Sequence, residues 1–113
     1  MKGLIIKSPW IDYILDGRKT WEIRGMNTKT RGTIGLIKSG TGHVYGEVDL
    51  VGSRPLSLDS YKESHAFHCV EREHCEELPY KHTHAWIFEN PRLYSEPIAY
   101  EHPMGAVIWV KSI

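Results

Sequence analysis

The chain has 113 residues, 41% hydrophobic and 25% charged, with 14 basic and 14 acidic side chains that balance to zero. That length suits one domain spanning 1–113, and the longest uncharged apolar runs, about five residues, fall far short of the roughly 20 that cross a bilayer. No membrane partner is expected, and the opening Met1–Lys7 is too short and too soon charged for a secretory signal, so a cytosolic location is the expectation. The neutral total hides an asymmetry. Residues 1–38 carry eight Lys/Arg against three acids and the remainder six against eleven, so the first third can form a local anion-binding face.

Leu4-Ile5-Ile6 reads as a short buried strand. Ser8-Pro9 then reads as a helix start, with Ser8 as the N-cap and Pro9 in the first turn. Trp10, Tyr13 and Ile14 share one face of a helix over roughly 9–16, which Gly17 stops. A β-strand follows over Thr20 to Arg24, then a loop at 27–32. Thr33 to Lys38 and His43 to Val51 form strands around a Ser39-Gly40-Thr41-Gly42 turn. A helix is expected from Leu58 or Asp59 to about His74, and further strands at 84–89 and 106–111. Pro91, Pro97 and Pro103 are placed in the loops between those strands. The order β-α-β-β-β-α-β-β predicts an α+β fold: a small, closed or partly closed mixed β-barrel flanked by two or so helices.

Residues 17–24 read G-R-K-T-W-E-I-R. Period-2 alternation puts Thr20, Glu22 and Arg24 on one face and Trp21 and Ile23 on the other, in the core or under a helix. Lys19 stands at the strand's mouth. Two cations and a carboxylate in one place suit a phosphate, a carboxylate or a polar base edge, although spacing alone equally fits a solvated ion pair. Trp10 offers a stacking surface for a base, or a core contact.

The pattern G-x-K-x-x-E-x-R, at Gly17, Lys19, Glu22 and Arg24, resembles the signature of the ASCH family, a branch of the PUA-like β-barrels. Lys7-Ser8-Pro9-Trp10 ahead of it, and His84–Phe88, Pro97-Ile98 and Ala106–Val110 behind it, extend the resemblance over essentially the whole chain. The resemblance implies a cleft between barrel and helices, lined by the signature residues, that binds RNA or a nucleotide. Lys7, Ser8, Trp10, Tyr13, Gly17 and Arg24 are its expected ligand-binding residues, and Gly17 also allows the tight helix-to-strand turn.

Some family members cleave single-stranded RNA. Here Glu22, Lys19 and Arg24 would supply base, acid and cation, with Tyr13 and Ser8 as helpers. Another branch hydrolyses N4-acetylcytidine with a lysine at the place of Lys19, a threonine three residues later and a glutamate from the second helix. This chain departs from it: Glu22 occupies the threonine's place, Thr20 follows Lys19 directly, and Cys69 falls at the glutamate's place with Glu71 two residues on. A catalytic set of Lys19 as base and Thr20, or a water held by Glu22, as nucleophile remains open. So do RNA binding without turnover and a protein-docking role.

Five of the seven histidines fall between 65 and 84, near Cys69 and Cys75. His65/Cys69 and Glu71/Cys75 have i,i+4 spacing and His82/His84 an i,i+2 spacing, but no C-x-x-C or H-E-x-x-H accompanies them. The segment reads as a solvated helix with no metal site, both thiols as reduced, and the chain as needing no cofactor. The oligomeric state is not encoded in any pattern here.

Overall fold

A computed structural model describes residues 1–113. Six strands form one sheet in the order β2-β5-β4-β3-β1-β6. In chain order they are β1 (Gly3–Ile6), β2 (Trp21–Arg24), β3 (Gly32–Lys38), β4 (His43–Pro55), β5 (His84–Ala99) and β6 (Trp109–Val110). Only β1 and β3 run parallel; every other pair is antiparallel. Three short helices accompany them: α1 (Trp10–Leu15), α2 (Leu58–Glu63) and α3 (His65–His68). The expected α+β, PUA-like architecture is present as a curled half-barrel.

The curl has a local cause. Register slips occur in the β4–β5 ladder between Val44 and Gly46, Glu47 and Asp49, and Leu50 and Gly52. Each inserted residue bends the strand and increases its twist. Gly46 sits at the first of these slips, where a Cβ would lie 2.5 Å from the Arg92 carbonyl oxygen and 2.7 Å from a Leu15 methyl. The concave face packs Leu4, Ile6, Leu36, Leu50, Trp86 and Phe88 against Ile11 and Ile14 of α1. A second cluster, Trp21, Leu56, Tyr61, Cys75 and Ala85, lies on the opposite face of β2, where α2 and α3 cover it.

The sheet does not close by backbone pairing. Arg24 of the edge strand β2 instead reaches across a seam to β1, next to the β6 edge: Nη2 donates to the Ile5 carbonyl at 3.0 Å.

Four expectations need correction. Ser8 does not cap α1; Pro9 holds that position, and the Ser8 hydroxyl donates instead to Asp12 Oδ2 at 2.7 Å. The helix expected up to His74 is broken. α2 starts at the Ser57 cap, α3 ends where Cys69 adopts a left-handed φ of 61°, and Arg72–His74 form a single 3-10 turn. Pro91 and Pro97 lie inside β5 rather than in loops. Beyond Ile87, β5 has β2 on neither side, so a proline that cannot donate costs no ladder bond there. Finally, the closing strand is reduced to Trp109–Val110, paired with Gly3 and Leu4.

Candidate nucleotide-binding cleft

The motif is built by three consecutive local structures. Gly17, at φ +89°, turns the chain out of α1, and the Lys19 amide then donates to the Tyr13 carbonyl at 3.0 Å. β2 begins two residues later. Its alternation is as expected, but both of its faces are covered. Glu22 and Arg24 stand opposite Trp86 and His84 on the concave side, while Trp21 and Ile23 face the helices.

Lys19 is almost wholly buried, with a relative exposure of 2%. Its Nζ donates to the carbonyls of Trp21 and His68, each at 2.7 Å, and lies 3.6 Å from Glu22 Oε1. The same ammonium sits 4.9 Å over the Trp10 ring, a favourable cation–π position. Burial pulls its pKa below the ordinary 10.5, and the Glu22 carboxylate opposes that pull. Arg24 donates from Nε and Nη2 to Glu22 Oε2, at 3.1 and 2.9 Å, and lies 5.5 Å over Trp86. Glu22 therefore neutralises one of two cations, and the trio carries a net positive charge.

Above this trio opens a cleft of about 460 Å³, set in the seam between β2 and the β1/β6 edge. Its walls include Trp10, Tyr61, Val70 and Tyr80, with Lys7, Ser39 and His74 supplying further polar groups. Burial raises the Tyr61 phenol's pKa, so it remains a protonated donor.

Five of the residues expected at the site line this cleft: Lys7, Trp10, Lys19, Glu22 and Arg24. Four do not. Ser8 is engaged with Asp12, and Tyr13 packs under the Arg18 guanidinium at 4.5 Å. Gly17 and Thr20 border a separate cavity of about 250 Å³. Thr20 shares Glu22's parity, but its amide donates to the Phe67 carbonyl and its carbonyl accepts from Phe88, which ties it away from the cleft mouth. Tyr61, Val70, His74 and Tyr80 escaped the sequence reading, because a helix-breaking loop returns to β2 and no spacing encodes that return.

No acidic group from the second helix stands beside Lys19, in keeping with the departure from the N4-acetylcytidine branch. Glu71 is exposed and clusters within 4.8 Å with the exposed Glu73 and His74. The i,i+4 pairs of this segment lose their shared helical face where α3 ends. Cys69 Sγ donates to the Arg18 carbonyl, Cys75 is buried, and both thiols are free.

These features define a PUA-like half-barrel with a charged cleft at its seam. The chain belongs to the ASCH domain family, whose pattern matches residues 4–99. That family is PUA-like and associated with RNA binding. The fold is similar to the ASCH protein of Zymomonas mobilis, with TM-score 0.76 at 11% identity, covering 99% of this chain and 87% of that one. Two point mutants of that protein superpose equally, at TM-score 0.76 and 11% identity, with 87% and 89% of their chains covered. No curated protein sequence matches the chain. No helix is long and apolar enough to cross a membrane.

Proposed function

We propose that the seam cleft binds one unpaired nucleotide of single-stranded RNA, without turnover. The observation that carries this reading is the state of the trio. Arg24 Nη1 has no partner in the chain, because Nε and Nη2 make all the guanidinium's bonds, and Glu22 Oε1 keeps only the long contact to Lys19. An unused donor and an unused acceptor at the floor are the kinds of group that a base edge complements. The volume lies within the roughly 300–1,000 Å³ of small-ligand sites. Trp10 and Tyr80 supply aromatic surface for the base, and the exposed Lys7 supplies a cation for the adjoining phosphate.

Hydrolysis is less well supported. A general base needs a free lone pair near the substrate, whereas Lys19 is spent on two carbonyls, and Glu22 Oε1 is the one free acceptor left in the trio. One observation favours a catalytic second reading: the lowered Lys19 pKa beside a carboxylate in a cleft is a pattern common at acid–base sites. On that reading the substrate is an N4-acylated cytidine, with a water at Glu22 as nucleophile.

Fluorescence anisotropy with labelled single-stranded RNA tests the proposal at several salt concentrations. Arg24→Ala is expected to weaken binding, and Lys7→Ala to lower the slope against log salt by about one. Intact RNA after long incubation supports binding alone. Release of cytidine from N4-acetylcytidine, lost in Lys19→Ala, supports the second reading. Absence of binding, or equal affinity in Arg24→Ala, refutes the first.

A further inference from the structure

We infer that His68, as a neutral imidazole, is the positioning residue that holds one wall and the floor of the cleft, and that its protonation releases both. The ligand arm of this inference rests on the nucleotide-binding reading above; the structural arm does not.

His68 is completely buried and makes a bond at each ring nitrogen. The Val70 amide can only donate, so Nδ1, 3.0 Å away, is the acceptor. The proton therefore sits on Nε2, which donates to the Tyr61 carbonyl at 2.7 Å. The ring also packs on the Tyr61 ring with centroids 4.8 Å apart. Its own carbonyl accepts from Lys19 Nζ at 2.7 Å. One residue thus ties together Tyr61, Val70 and Lys19, three groups that line the cleft and come from three separate stretches of chain.

A second proton has no place in this arrangement. On Nδ1 it would point at the Val70 N–H, setting donor against donor at 3.0 Å. The titratable groups that face the ring are Tyr61 from α2, His65 from α3 with ring centroids 6.0 Å away, and Lys19 from the turn before β2. None is a carboxylate. Burial and the Lys19 charge accordingly hold the imidazole below its ordinary 6.5, against the opposing bond to Tyr61. Protonation has to break the Val70 bond, and with it the turn that aims the His68 carbonyl at Lys19.

The structural arm is an NMR titration of the ligand-free protein. The expected result is a His68 ring unprotonated at Nδ1 near neutral pH, titrating below 6.5, with the Val70 amide shift moving along the same curve. The ligand arm measures affinity for a uridine-only RNA, whose bases do not titrate between about pH 5 and 7, the range of histidine chemistry. Affinity should fall about tenfold for each pH unit below the imidazole's titration point, as linkage to one proton requires. His68→Gln, which keeps a donor for Tyr61 but cannot charge, should flatten that dependence, and His65→Gln should leave it intact.

An Nδ1-protonated ring at neutral pH, or a Val70 amide that ignores the titration, overturns the inference. So does RNA affinity that is unchanged on acidification. RNA that fails to bind at any pH overturns the nucleotide-binding reading, and the NMR titration then still decides the role of His68. If His68→Gln does not fold, the wild-type titrations decide alone.

Discussion

Replacing Glu22 by glutamine removes the one negative charge between two cations while keeping the shape of the side chain. The side chains are 1% exposed at Lys19, 9% at Glu22 and 18% at Arg24, so water can replace little of the lost attraction. At an effective dielectric near 20, the 3.6 Å contact to Lys19 is worth at most about 5 kcal/mol, and the 2.9 Å contact to Arg24 at most about 6. The desolvation already spent on all three groups is not recovered in the variant. Removing one partner of a buried pair costs about 3–5 kcal/mol in measured cases. Because glutamine can still accept from Arg24, the low end is expected, about 3 kcal/mol. Urea unfolding followed by tryptophan fluorescence measures it, with an expected fall in midpoint of roughly 1–3 M for a domain of ordinary m-value. Asp16→Asn, which breaks an exposed pair with Arg18, is the comparison and should shift the midpoint far less. A loss below about 1 kcal/mol for Glu22→Gln would refute the reasoning, because it would mean that water screens the trio as it does a surface ion pair.

Other expectations follow from the same geometry. Trp10→Ala should weaken single-stranded RNA binding by about 1–3 kcal/mol, or about 5- to 150-fold, if the indole stacks on a base; anisotropy titration measures it. Thr20→Ala should leave that affinity unchanged, since Thr20 borders the other cavity. Gly46→Ala should destabilise the fold by about 1–3 kcal/mol in urea, because the new methyl meets the Arg92 carbonyl and Leu93 Cα, backbone atoms that cannot turn aside, as well as the Leu15 methyl. Stability should decline as pH falls below 6.5: the unfolded chain then protonates His68 while the folded one resists, until the folded-state value is passed. The decline should be smaller in His68→Gln.

The elements that could be read in the sequence are those whose cause is local. α1 follows from the spacing of Trp10, Tyr13 and Ile14 and from the stop at Gly17, although the face it buries is Ile11, Ile14 and Leu15; β3 and β4 follow from alternation around a glycine-rich turn. The unread parts depend on distant partners. Nothing near Pro97 shows that the far edge of β5 lacks a neighbour, and that vacancy is what admits proline into the strand. The left-handed Cys69 is likewise invisible in a segment of good helical character, yet it ends α3 and turns the His68 carbonyl toward β2. Site residues divide in the same way. Lys19, Glu22 and Arg24 come together through spacing on one turn and one strand. The burial of Lys19 depends on a carbonyl 49 residues away, which no pattern around the motif predicts.

That burial also changes the meaning of the motif. On an exposed strand, two cations flanking a carboxylate would be free to fold over a phosphate. In the seam each group already has a structural task. Lys19 ties the α3 end to β2, Glu22 holds Lys19 and Arg24 apart from solvent, and Arg24 spans the gap that the sheet's hydrogen bonds leave open. The interval of three residues from Lys19 to Glu22 and two from Glu22 to Arg24 is what this closure needs: one turn to bring the lysine under the strand, then one strand repeat to place the arginine on the same face. Closing the barrel and floor-lining the cleft are therefore one arrangement. On the proposed reading, a ligand meets what closure leaves over, the Arg24 Nη1 protons and one Glu22 oxygen, so that reading directs a base edge to the floor and the phosphate to the Lys7 rim.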